Sequence, residues 1–336
     1  SNVTNMQAMF RSAIAFNQPL NFDTSSVLST YQMFHTATSF NQPLNFDTSS
    51  VTSMISMFQE ATSFNQPLNW DTSSVTNMKQ MFESAISFNG TLTFSDTSIV
   101  RDTSYMFESA TSFNQPLNWD VSSVIYMKFM FYNATSFNQP LNWDTSSVIT
   151  IQSTFENATL FDQPLNWDIS SVGTTFQTFV NVNLSTVNYD LILVYWEAYL
   201  QTAFPGGVGY TKNIAVDFNT TKYTCGSAAD VSRDSLINNF GWNITDGGST
   251  CLTDFNFFTE VDRWFDNQAL SESMWGLIDY WNVSQVTDMQ EAFFTGRSSS
   301  VLNNFNEDIS SWDTGNVTDM NSMFRNSITF NQSLSW

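Results

Sequence analysis

Phe64-Asn65-Gln66-Pro67-Leu68-Asn69-Trp70, continued by Asp71-Thr72-Ser73-Ser74-Val75 and then by Met78, Met81 and Phe82, is a string that the chain repeats almost letter for letter. Its leading phenylalanine recurs at Phe16, Phe40, Phe64 and Phe88 at intervals of 24, at Phe113 after 25, and at Phe137 and Phe161 after 24 again. A period of that length belongs to stacked coil architectures, in which each coil buries its apolar side only against its neighbours. One coil cannot stand alone, because its few apolar side chains do not offset the entropy of ordering 24 residues. Stacking then aligns like residues into columns: Phe, Leu, Trp or Phe, Val and Met inside, with Asn, Asp and Thr outside or at the corners.

Within a coil the apolar spacing changes character. Val75, Met78, Phe82 and Ala85 are 3, 4 and 3 apart, which predicts a short helical segment capped by Ser73 or Ser74. Leu68 and Trp70 flank Asn69 with a period of two, which predicts a short strand with Pro67 at its start. The expected fold class is therefore an α/β solenoid of leucine-rich-repeat-like coils, 24–25 residues each, interrupted by a small α+β capping module.

The pattern Val-x-x-Met-x-x-Met-Phe-x-x-Ala-x-x-Phe-Asn-x-x-Leu resembles the BspA-like leucine-rich repeat surface proteins, including the branch of mycoplasma surface lipoproteins. It covers most of residues 1–183 and resumes from about Val261 to Trp336. The resemblance implies display at a cell surface with adhesive roles, and it carries no catalytic residues.

From about Leu184 to Leu252 the period vanishes. A helix is expected over Tyr189 to Gln201, a turn at Pro205-Gly206-Gly207, a strand around Ile214 to Phe218, a second helix near Ala228 to Asn239, and a strand at Trp242 to Thr245. This segment reads as a cap over the last coil. An amphipathic helix with Phe258, Val261, Trp264 and Phe265 on one face then opens a second block, whose longer coils run through Phe305, Trp312, Phe330 and Trp336. The expected domains are thus 1–183, 184–252 and 253–336. Partial coils stand at Ser1 to Met6 and at Trp336, so the expectation is a segment of a longer tandem array or fibre, with copies or adjacent repeats joined head to tail.

Composition narrows the function. The chain has 336 residues, 42% hydrophobic and only 12% charged, with 10 Lys and Arg against 31 Asp and Glu for a net charge of −21. That balance repels nucleic acid. The longest apolar run, Leu191 to Trp196, is far short of the ~20 residues of a membrane helix, so no membrane insertion is expected in this segment. Cys225 and Cys251 are the only cysteines and are expected to form a local disulfide, which with the glycosylation signals places the chain in an oxidising, extracellular compartment at the cell surface.

Asn-x-Ser/Thr triplets stand at Asn2, Asn89, Asn133, Asn157, Asn183, Asn219, Asn243, Asn282, Asn316 and Asn331. Asn89 belongs to a column of amides (Asn17, Asn41, Asn65, Asn89, Asn114, Asn138, closed by Asp162) expected to form an internal ladder serving the backbone at the turn, so the other nine are the glycosylation candidates, Asn133 and Asn157 foremost. His35 is the only histidine and fills a slot held elsewhere by Arg11, Gln59, Glu83, Glu108, Tyr132 and Glu156, which argues for a solvated position and against any triad or zinc site. The column Asp23, Asp47, Asp71, Asp96, Asp120, Asp144 and Asp168 has two readings, local acceptance of backbone amides or calcium held between coils. The expected function is a non-enzymatic structural or adhesive scaffold that builds filaments. The alternatives are an adhesin for a specific cell-surface or matrix glycoprotein, protein or glycan, and an ice- or crystal-binding solenoid using the regular Thr and Asn columns, against which Val121 and Ile169 break the Thr run.

Overall fold

The computed structural model describes residues 3–298, 301 and 304–336, with Ser273 described in its backbone only. The chain forms two compact units, Ser1–Gly248 and Ser249–Trp336. In the first, successive coils lie in parallel register, with bridges linking Asn5 to Ser29, Ser29 to Ser53, and onward through Asn77, Asp102, Tyr126 and Thr150 to Thr174. Like side chains consequently stack. Phe34, Phe58, Phe82, Phe107, Phe131 and Phe155 form one column, with parallel rings 5.5–5.7 Å apart. Phe40, Phe64, Phe88, Phe113, Phe137 and Phe161 form a second, at 5.8–6.1 Å. Within a coil the two columns meet at about 4 Å, as between Phe82 and Phe88 at 4.0 Å.

The segment expected to be helical is not a helix. From Met78 to Ala85 the amides alternate: those of Met78, Gln80, Phe82 and Ser84 donate to Asp102, Ser104, Met106 and Glu108 of the next coil at 2.7–3.0 Å, while those of Met81, Glu83 and Ala85 donate three residues back. Every fourth residue is left-handed, as at Gln80 (φ 59°) and Ser84 (φ 55°). A right-handed helix cannot pass such residues. A helix would also turn every amide inward on itself, whereas consecutive tight turns export every second one to the neighbour. The inward face survives the change, since Val75, Met78, Met81, Phe82 and Ala85 are all buried.

The expected strand appears where the backbones come close enough. β1 (Leu68–Trp70) pairs in parallel with β2 (Leu92–Phe94), Leu68 opposite Leu92 and Trp70 opposite Phe94. Gly90 stands in a slot that neighbouring coils fill with Gln, and a Cβ there would lie 2.4 Å from the Gln66 carbonyl oxygen. Glycine permits the approach, and Thr91 replaces the proline found in the other coils. The Trp column has its own tie: Trp70, Trp143 and Trp167 donate their indole Nε1–H to the carbonyls of Leu44, Leu117 and Leu141 in the preceding coil. The Thr column after each Asp points inward, contrary to expectation. Thr48, Thr72, Thr97 and Thr145 are buried, and each hydroxyl donates to a carbonyl of the next coil. Val121 and Ile169, buried in the same slot, are therefore apolar substitutes and not breaks in a surface.

After the last coil come α1 (Thr186–Ala203), capped by Ser185, then β3 (Ala215–Asp217), α2 (Ala228–Asn238), capped by Ser227, and β4 (Asn243–Thr245). β3 and β4 pair in parallel across α2. Phe179 of the last coil stacks on Phe218 at 4.9 Å, and Tyr189, Trp196 and Trp242 complete a core continuous with that of the coils. The cap is thus part of the first unit. The division falls at Gly248 and Ser249, earlier than the expected 252/253, because β5 (Cys251–Thr253) pairs instead with β6 (Asn282–Gln285) of the second unit.

The second unit contains β5, α3 (Phe257–Asp266), α4 (Gln268–Trp275) and β6. α3 buries Phe257, Val261 and Trp264, so the apolar face begins one residue earlier than expected, and Phe258 and Phe265 pack only partly buried. The turned ladder returns with a longer spacing: Met289, Glu291 and Phe293 donate to Asp319, Asn321 and Met323.

Candidate functional site

Each aspartate of the column Asp23, Asp47, Asp71, Asp96, Asp120, Asp144 and Asp168 accepts, through Oδ1, the amide of the serine two residues on at 2.8–3.1 Å. The arrangement is a local turn and not a helix cap. Hydrogen bonds from Ser122 hold Asp120 below the usual carboxylate range, and those from Ser146 do the same for Asp144. Among the described residues no three Asp, Glu, His or Cys side chains come together as a metal set.

The amide column is a ladder on the surface. Asn17, Asn41, Asn65, Asn89, Asn114 and Asn138 each accept, through Oδ1, the backbone amide of the next member at 2.7–3.0 Å, and Asp162 ends the series by accepting from Ser185 and Asn188 at the start of α1. Asn133 and Asn157 behave differently from expectation. They are half-buried and left-handed, and they stack amide on amide: Asn157 Nδ2 donates to Asn133 Oδ1 at 2.9 Å and Asn181 Nδ2 to Asn157 Oδ1 at 2.6 Å. Asn219 Nδ2 is likewise engaged by the carbonyls of Phe179 and Val182, and Asn316 Nδ2 by that of Ser284. Asn133 Nδ2 itself donates to Ser109 Oγ at 3.4 Å, and since a glycan attaches at Nδ2, Asn133, Asn157, Asn219 and Asn316 have that atom committed to the fold. Asn183, Asn243, Asn282 and Asn331 are exposed, while Asn2 lies outside the described residues. Cys225 and Cys251 are both disulfide-bonded.

The slot of His35 is not solvated as expected. His35, Gln59, Glu83, Glu108, Tyr132 and Glu156 are all half-buried, and His35 Nδ1 lies 2.7 Å from Thr36 Oγ1. Desolvation, reinforced by the charge of Glu83, pushes the Glu108 carboxyl up to about 7. The cap holds a cluster that no repeat pattern announces: Asp246 receives Tyr189 Oη–H at 2.6 Å and Arg233 Nε–H at 2.7 Å, and the Arg233 guanidinium lies 4.9 Å from the Tyr223 ring centre. Burial and the Asp246 carboxylate raise Tyr189 far above an ordinary phenol. The signal available in the sequence is Asp246-Gly247-Gly248, which closes β4.

One cavity of about 330 Å³ lies beside α1 at the last two coils, lined by Asn142, Trp143, Asp144 and Thr145 of one coil, Asn166 and Asp168 of the next, and Tyr199 of α1. The coil residues are ordinary members of their columns, and α1 supplies the wall. Among the described residues no helix is long and apolar enough to cross a membrane.

A family model described as "Mycoplasma protein of unknown function, DUF285" matches residues 1–93, 44–118, 67–165, 89–192 and 254–336, a tandem set that skips the cap. No curated protein and no solved structure matches the chain.

Proposed function

We propose, from the premise that this chain belongs to that family of mycoplasma proteins of unknown function, that it is a non-enzymatic structural scaffold of the BspA-like kind, displayed outside the cell, whose leucine-rich-repeat-like coils build filaments with other copies or adjacent repeats. The observation carrying this reading is the unbroken registry from Asn5 to Thr174, in which backbone amides, Asn amides and Thr hydroxyls are spent on the adjacent coil. Polar groups used this way serve cohesion and length. The local satisfaction of each Asp favours a stack that needs no calcium. Negative-stain imaging of the protein at native length tests the reading: long uniform fibres are expected, and single short rods at every concentration would reject it.

A second reading, an adhesin for a glycan or glycoprotein, is favoured by the cavity beneath α1. Ice or crystal binding keeps only the Asn columns for support, because the Thr column is buried.

A further inference from the structure

We infer that the cavity between α1 and the sixth and seventh coils is a binding site for a single neutral sugar residue. The inference gives a ligand to the adhesin reading and rests on it, and it is independent of filament formation. Asn142 and Asn166, Asp144 and Asp168 repeat one above the other, so the floor presents amides and carboxylates in alternating pairs. Their polar ends are only partly used, and the Lys212 ammonium, bound to the Ser170 carbonyl, lies within the field of Asp168. Asp144 and Asp168 use Oδ1 for Ser146 and Ser170, which leaves Oδ2, and the side chains of Asn142, Asn166 and Tyr199 make no hydrogen bond among the described residues.

The same column residues lie on open surface in earlier coils, where a small solute would touch one side only. Here Tyr199 adds an aromatic wall with a polar tip, and the volume of 330 Å³ sits at the lower end of the ~300–1,000 Å³ of small-molecule sites. Carboxylates accept hydroxyl hydrogens strongly, and amides both donate and accept, which is the complement of adjacent sugar hydroxyls. Two further features narrow the class. The net charge of −21 disfavours sialic or uronic acids. Two carboxylates with no third acid are too few ligands for a hard cation, which takes six to eight oxygens. Trp143 is buried, its indole N–H bound to Leu117, so the ring that packs on the sugar is Tyr199 and not the Trp column.

Saturation-transfer NMR on the intact chain, with the methyl glycosides of glucose, galactose and mannose as probes, tests this site. Transfer to at least one hexoside is expected. Tyr199→Ala and Asn166→Ala should weaken that hexoside's affinity at least tenfold, and Tyr199→Phe, which keeps the ring, less. Asn69→Ala, the same column residue on the open face, should leave the affinity unchanged, and melting temperatures should confirm folding of each variant. Transfer that survives both alanine variants would overturn this site while leaving the adhesin reading intact. Absence of transfer with all three hexosides, or displacement of a bound hexoside by millimolar calcium, would overturn the proposal itself.

Discussion

Glu108 shares its column with Glu83 in the neighbouring coil, and partial burial raises its carboxyl to about 7. A folded-state value above that of the unfolded chain favours the protonated fold, so this contribution is complete near pH 4.5 and is lost as pH rises through about 7. Glu108→Gln is therefore expected to be more stable than the parent at pH 8, by about 1 kcal/mol once solvent screening is allowed for, and nearly equal to it at pH 5. Urea melts at the two pH values check this. Asp71, Asp120 and Asp144 carry the opposite sign: their serine hydrogen bonds lower them, and that stability disappears as pH falls below the ordinary carboxylate range. The chain should therefore lose stability on both sides of mildly acidic pH. In the cap, Asp246→Ala leaves Arg233 and the Tyr189 hydroxyl without their partner, and a loss of about 3 kcal/mol is expected in the same measurement. The aspartate and asparagine columns were legible in the sequence because repetition averages out accident. Glu108 and Asp246 were not, since each depends on what packs around a single side chain.

At the scale of the element, the strand, the cap helices and their capping serines follow from local chemistry, and the sequence placed most of them to within a few residues. The turned segment was misread for a physical reason. A spacing of 3, 4 and 3 marks one side of a helix, but tandem turns with a left-handed residue at every fourth position bring the same side chains inward. The periodicity cannot separate them, because the distinguishing bonds run to residues 23 or 24 positions away. Gln80 is the discriminating position: it is left-handed and its amide reaches Ser104. Proline can satisfy neither condition, so Gln80→Pro is expected to cost about 3 kcal/mol or more. Gln80→Gly, which would break a helix, is expected to change stability by less than about 1 kcal/mol.

For the whole molecule, two separate cores mean two denaturation events. Calorimetry is expected to resolve two transitions, and Phe64→Ala, which empties the middle of a continuous ring column, should lower only the larger one, by about 3–5 kcal/mol. Addition of a chelator is expected to leave both midpoints unmoved, because the aspartates already have their partners. The loss and return of the period are legible in the sequence. The pairing of β5 with β6 is not legible there, since it depends on which later strand Cys251–Thr253 meets.

The alternating amides make every joint between neighbouring courses nearly the same joint, addressed by main chain and by recurring letters. An unequal crossover that drops or duplicates the 24 or 25 codons of a whole coil would therefore leave no scar, while a slip by part of a coil would throw each downstream phenylalanine out of line. Gene copies of differing length are the natural product of such a design, and excising residues 41–64 should yield a shorter but intact protein.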